Sequence, residues 1–199
     1  MRGRREVMFA GFGGQGIITA GYIVGRAAAV YDDKEATLTQ AYGPEARGST
    51  CYSGVVIDEE EIDYPYIQDP EVMVIMSRDA YEKFLPRLRE GGILIIDSTI
   101  VEADERANKY VLYKVPATQI AEELGARIVA NVVMLGFLGV VWDAVSVEAL
   151  REAVKATVPK KYLDLNLRAF EKGVELGKKA SELLKLVKKT LKEGAEKGD

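Results

Sequence analysis

Gly11-Phe12-Gly13-Gly14-Gln15-Gly16 places four glycines in six positions, directly behind the apolar run Val7-Met8-Phe9-Ala10. Glycine lets a backbone approach an anion with no Cβ in the way. A helix opening behind such a turn adds free N–H donors and the positive end of its dipole. The chemistry this predicts is main-chain binding of a phosphate or carboxylate. Gly11, Gly13 and Gly16 also satisfy the G-x-G-x-x-G spacing of dinucleotide-binding turns, and they stand between a predicted strand and a predicted helix. Close packing of helix on strand is the plainer reading of the same glycines. Nicotinamide chemistry fits poorly. That fold needs an acid at the end of the second strand, whereas Asp32, Asp33 and Glu35 precede the predicted strand Ala36-Thr37-Leu38-Thr39-Gln40-Ala41.

A second constellation is Tyr42-Gly43-Pro44-Glu45-Ala46-Arg47-Gly48, a loop by its Gly-Pro and Gly punctuation. It leaves the carboxyl end of the second strand, the edge at which open α/β sheets meet ligands and partners. Arg47 could grip a phosphate or carboxylate in bidentate fashion, with Glu45 orienting it and Tyr42 beside it. The alternative is a surface Glu–Arg pair of little energetic weight.

The composition limits what else can happen. The chain has no histidine and a single cysteine, Cys51. The commonest general base and metal ligand is therefore missing, and the chain cannot supply the thiolates of an iron–sulfur cluster or form an internal disulfide. No catalytic or metal-binding residue is expected. Cys51 reads as a small buried residue at a strand start.

The elements that must position these loops follow from periodicity and punctuation. Strands are expected at 7–10, 35–41, 52–57, 72–76, 93–96 and 111–115, the fourth and fifth as continuous apolar runs of the buried parallel type. Helices are expected at 17–29, at 78–89 behind the capping Ser77, at 118–124 and at 127–141. Another should start behind Ser146 and break at Pro159, and an amphipathic, lysine-rich helix should run from Tyr162. Asp97 and Ser98, closing the fifth strand, could reach the glycine crevice or simply cap the following turn. The alternation of strand and helix predicts an α/β three-layer sandwich with a mostly parallel sheet and a C-terminal helical extension.

At 199 residues, 48% hydrophobic and 29% charged, the chain can bury one α/β core. Its net charge of −4 argues against a nucleic-acid binder. The uncharged stretch 128–142 is too short for a membrane crossing of about 20 residues and includes Asn131. No signal-peptide pattern follows the basic start, so a cytoplasmic location is expected. Abundant Lys and Glu point to a thermophilic source.

The glycine turn together with Gln40-Ala41-Tyr42-Gly43-Pro44-Glu45-Ala46-Arg47-Gly48 closely resembles the γ subunit of 2-oxoacid:ferredoxin oxidoreductases, most of all the 2-oxoglutarate branch. Ile62-Asp63-Tyr64-Pro65, Met76-Ser77-Arg78-Asp79-Ala80-Tyr81, Gly91-Gly92 before Ile96-Asp97-Ser98, 131–136 and 166–173 extend the likeness to about residue 177. Ser49-Thr50 depart from it, following Gly48 where the family pattern has a further glycine. The resemblance implies a Rossmann-like γ domain over 1–177 and a charged helical tail over 178–199. It also implies oxidative decarboxylation of a 2-oxoacid with coenzyme A, giving acyl-CoA, carbon dioxide and reduced ferredoxin. The partners would be α, β and ferredoxin-like δ subunits carrying thiamine diphosphate, Mg and iron–sulfur clusters. Gly11, Gly13, Gly14, Gln15, Gly16, Tyr42, Glu45 and Arg47 would then form the CoA-facing or subunit-facing edge. A scaffold subunit without ligand contact, or an independent nucleotide-binding protein, are the competing expectations.

Overall fold

The first strand is apolar on both faces because both faces are covered. Val7, Met8, Phe9 and Ala10 are each fully buried, as in the centre of a parallel sheet. The computed structural model describes residues 3–41 and 50–195. It contains strands β1 (Arg5–Phe12), β2 (Glu35–Ala41), β3 (Thr50–Asp58), β4 (Val72–Ile75), β5 (Ile93–Asp97) and β6 (Val111–Val115). They form one six-stranded sheet in the order β2-β3-β1-β4-β5-β6.

β1, β4, β5 and β6 pair in parallel, whereas β3 pairs antiparallel with both β1 and β2. The mostly parallel sheet is thus present with β3 as the strand that runs against the rest. The second strand does not flank the first, as a simple doubly wound order would have it. β3 intervenes, returning from β2 as an antiparallel neighbour, and β2 becomes an edge.

Helices cover both faces. On one lie α1 (Ile17–Arg26), α3 (Ala117–Glu123), α4 (Ala130–Val141), α5 (Val147–Thr157) and α6 (Leu163–Ala195), packed on Val7, Phe9, Val55, Val74 and Ile95. On the other, α2 (Arg78–Phe84) covers Met8, Ala10, Met73, Ile75 and Leu94. Successive strand residues alternate between these two cores, which is the period of the pleat.

Punctuation acts where expected. The Ser77 and Ser146 hydroxyls accept from the N–H groups of Ala80 and Ala149 and so cap α2 and α5. Helix α2 is shorter than its periodicity implies, because Pro86 tightens the chain into a 3-10 turn at Leu85–Arg87. The helix behind the glycine turn leaves α geometry at Arg26 and continues as a π turn, Ala27–Tyr31.

The uncharged segment is α4, buried from Ala130 to Leu138. It is apolar all round because α6 lies against it. A Cβ at Gly136 would stand 2.0 Å from the Phe170 carbonyl oxygen, and one at Gly173 would stand 2.0 Å from that of Val133. Glycine at both positions lets the two helix backbones touch. Among the described residues, no helix is long and apolar enough to cross a membrane.

Candidate functional site

The turn 13–16 carries β1 into α1 at the carboxyl end of the parallel strands. Its glycines divide by what demands them. Gly16 sits at φ 74°, a left-handed N-cap, and a Cβ there would lie 2.3 Å from Asn131 Nδ2. A Cβ on Gly11 would lie 2.5 Å from Gln15 Oε1 and 2.7 Å from Ile17 Cδ1. These two are packing glycines. Gly14 is required by its φ of 95°, although nothing lies within 4 Å of a Cβ built on it. Gly13 has neither constraint, since among the described residues nothing lies within 4 Å of a Cβ built on it and its φ is not positive.

Gln15 is a brace. Its Oε1 accepts from Phe12 N–H at 2.7 Å, and its Nε2 donates to the Met76 carbonyl at 2.6 Å, tying the turn to the end of β4. Asn131, 5% exposed, donates from Nδ2 to the Gly16 carbonyl at 3.1 Å and ties the other side of the turn to α4. The start of α1 has no side-chain cap and no acid in its first turn. Among the described residues its leading N–H groups therefore have no side-chain acceptor, which suits an anion.

A cavity of about 230 Å³ opens on this turn, lined by Gly14, Gln15, Met76, Thr118, Arg127 and Ile128. Arg127 brings a cation, 3.9 Å from Glu122 and with 64% of its side chain exposed. Asp97 does not contribute a free carboxylate. Fully buried, it accepts from Thr118 N–H, from Thr118 Oγ1 at 2.6 Å and from Thr99 N–H, so it caps α3 and the turn after β5. Cys51 is 2% exposed on β3, opposite Gly11, and burial pushes its thiol pKa up. It is placed for packing rather than for thiolate chemistry.

Of the residues singled out in the sequence, the structure brings Gly11, Gly13, Gly14, Gln15 and Gly16 together. Tyr42, Glu45 and Arg47 lie outside the described residues. The strands that bracket them are described. Ala41 pairs with Tyr52, and Thr50 pairs with Phe12 at the last position before the glycine turn, so Ala41 and Thr50 both lie at this end of the sheet.

Sequence reasoning missed Arg127, Thr118 and the bracing role of Asn131. Asn131 did leave a signal, as a lone amide in an uncharged run, which is a misplaced residue unless its hydrogen bonds are met. Arg127 left none, because it follows Gly125 between two helices with no spacing to any motif.

The model of the family described as pyruvate ferredoxin/flavodoxin oxidoreductase matches residues 6–176. A 2-oxoglutarate synthase subunit KorC from Methanocaldococcus jannaschii is 48% identical over 177 residues, covering 88% of this chain and 95% of the relative. Among solved structures, the γ subunit of a keto/oxoacid ferredoxin oxidoreductase from Geobacter sulfurreducens superposes with a TM-score of 0.79 at 36% identity, covering 87% of this chain and 95% of that one. The 2-oxoglutarate:ferredoxin oxidoreductase from Magnetococcus marinus, solved with 2-oxoglutarate, coenzyme A and succinyl-CoA bound, gives a TM-score of 0.81 at 25% identity, covering 89% of this chain and 32% of the larger one.

Proposed function

Because this chain belongs to the pyruvate ferredoxin/flavodoxin oxidoreductase family, as a γ subunit of a multi-subunit 2-oxoacid:ferredoxin oxidoreductase, we propose that its glycine turn forms the CoA-facing edge of that enzyme. The 2-oxoacid we assign is 2-oxoglutarate, on the 48% identity to a 2-oxoglutarate synthase subunit. The reaction would release carbon dioxide, pass electrons to ferredoxin and transfer the acyl group to CoA. A chain with one cysteine and no histidine suits a division of labour. In it, α, β and ferredoxin-like δ subunits carry thiamine diphosphate, Mg and iron–sulfur clusters, and this subunit holds the acyl acceptor. A single cysteine also suits the reducing cytoplasm.

The observation that carries the reading is Gly13, a glycine with nothing among the described residues within 4 Å of its Cβ position, in a turn that leads to an α1 N-terminus without a side-chain cap and that shares a cavity with Arg127 through Gly14 and Gln15. Main-chain N–H groups of the turn and the α1 dipole would hold CoA phosphate, Arg127 would neutralise it, and Gln15 would act by keeping the turn's shape. Tyr42, Glu45 and Arg47 would close the edge from the adjoining loop. We treat 1–177 as the γ domain and 178–199 as a helical tail, since the family match ends at residue 176 while α6 runs on to Ala195.

Replacing Arg47 by Ala in the assembled enzyme should raise the CoA concentration needed for half-maximal rate by about tenfold, the loss expected for one charge-assisted contact. The rate at saturating CoA should hold. An unchanged CoA requirement would leave this subunit as a scaffold whose glycine loops serve only packing between chains.

A further inference from the structure

β2 is an edge of the sheet, and it lacks the protection that edges usually carry. Among the described residues no strand lies beyond it. Its seven residues pair one-to-one with β3, from Glu35 on Asp58 to Ala41 on Tyr52, with no bulge. Glu35-Ala36-Thr37-Leu38-Thr39-Gln40-Ala41 contains neither lysine nor proline, and its single charge stands at the first position. Natural edges use lysine, proline or bulges because a long regular edge templates another strand.

Both flanks of this edge offer apolar surface. On one side a groove of about 380 Å³ separates α1 from β2, lined by Tyr22, Ala29, Val30, Ala36 and Leu38 among others. Tyr22 and Val30 are 47% and 62% exposed. Val30 belongs to the π turn Ala27–Tyr31, a feature frequent at functional sites. On the other side Thr37 Oγ1 donates to the Pro65 carbonyl at 3.0 Å, which sets the half-exposed rings of Tyr64 and Tyr66 beside the same strand. Their centroids lie 5.6 Å apart. Arg4 donates to the carbonyls of both tyrosines, at 2.7 and 2.5 Å, and so fixes their loop.

We propose that β2 is a contact edge between two copies of this chain, pairing antiparallel with itself about a two-fold axis at Leu38. That register is the one in which all seven residues pair. Leu38 meets Leu38 of the second copy, Thr37 meets Thr39, and Ala36 meets Gln40, so apolar and hydroxyl residues match on each face. Glu35 falls opposite Ala41, and no like charges meet. Helix α1 runs along β3, since Gly21 and Gly25 lie over Ser53 and Val55. The two α1 helices therefore stand about 14 Å apart across the join, three strand spacings. Direct helix packing takes about 8–10 Å, and the Tyr22 rings of both copies fill the difference. The edge is about 24 Å long, and the helix, sheet and loop that end on it are about 30 Å deep. That face, about 700 Å², approaches the ~800 Å² per partner of a standard interface. The contact is independent of the CoA reading, and in the assembled enzyme it joins two sets of subunits.

The test is sedimentation equilibrium of the full chain. The parent should be dimeric at micromolar concentration. Tyr22→Lys places like charges in the join and should raise the dissociation constant at least about 100-fold, with circular dichroism and the unfolding midpoint unchanged. Leu183→Lys, at an exposed leucine of the tail, should leave the dimer intact. Oxidative crosslinking reads the register, since the native Cys51 is 2% exposed. Leu38→Cys should crosslink to itself, because facing Cβ atoms lie about 4.5–5.5 Å apart. Glu35→Cys should not, its two copies being about 20 Å apart. A monomeric parent, a dimer indifferent to Tyr22→Lys, or crosslinking through Glu35→Cys instead of Leu38→Cys overturns the self-pairing. Monomeric parent with β2 amides protected from hydrogen exchange only in the assembled enzyme also overturns it, and assigns the edge to a different subunit.

Discussion

Gly13 and Gly16 stand three residues apart in one motif and do different work. Gly16 combines a left-handed φ of 74° with a Cβ position 2.3 Å from Asn131 Nδ2. Gly16→Ala therefore meets a conformational cost of about 1–2 kcal/mol for an L-residue in that region. It also displaces the amide that braces the turn. We expect a loss of about 2–3 kcal/mol in guanidinium unfolding. Gly13→Ala meets nothing among the described residues and should leave the unfolding free energy within about 0.5 kcal/mol of the parent, while a Cβ stands where a ligand's phosphate would approach. Equal destabilisation by both substitutions would mean that the turn's glycines are all structural. Gln15 belongs with Gly16, since each end of its amide braces the turn, one on Phe12 and the other on Met76.

The pairing of α4 with α6 holds the helical layer in place, and it depends on backbone contact. Gly136 meets the Phe170 carbonyl, Gly173 meets that of Val133, and Gly177 lies over Val140. A methyl group at Gly173 improves helix propensity by about 1 kcal/mol, but it would overlap a backbone atom that has no rotamer to escape into. Overpacking of this kind costs about 1–3 kcal/mol or more, so Gly173→Ala should destabilise the fold in denaturant titration. A variant as stable as the parent would show that the helices do not approach this closely. Since α4 also delivers Asn131 to the glycine turn, the same substitution should disturb ligand binding without touching the site. The motif segments 131–136 and 166–173 thereby acquire a physical meaning, as the two halves of one helix contact.

At the scale of the molecule, α6 outruns the core it helps to build. Val174 is buried, whereas Leu183 and Leu186 are 63% and 62% exposed. Truncation after Ser181 should therefore cost less than about 1 kcal/mol of stability and leave CoA titration unchanged, while circular dichroism loses the signal of the missing turns. A collapse of the fold would instead make the tail part of the domain. Much of this architecture was legible in the chain itself. Runs such as Val72–Ile75 and Ile93–Ile96 are apolar at every position because both faces of a central strand are covered, and the capping serines and Pro159 mark helix limits through local hydrogen bonding and sterics alone. Gly11–Gly16 announced its turn because φ and close approach are local demands on residue type. The sense of β3 was not legible, since apolar patterning reports burial and is the same for a strand run in either direction. Nor were the partners of the turn, because Asn131 and Arg127 reach it across more than a hundred residues of sequence, where no spacing rule applies. Residue type determined which segments could form strands, helices and an anion-accepting turn. Only tertiary packing decided which distant amide, cation and apolar wall would be folded against it.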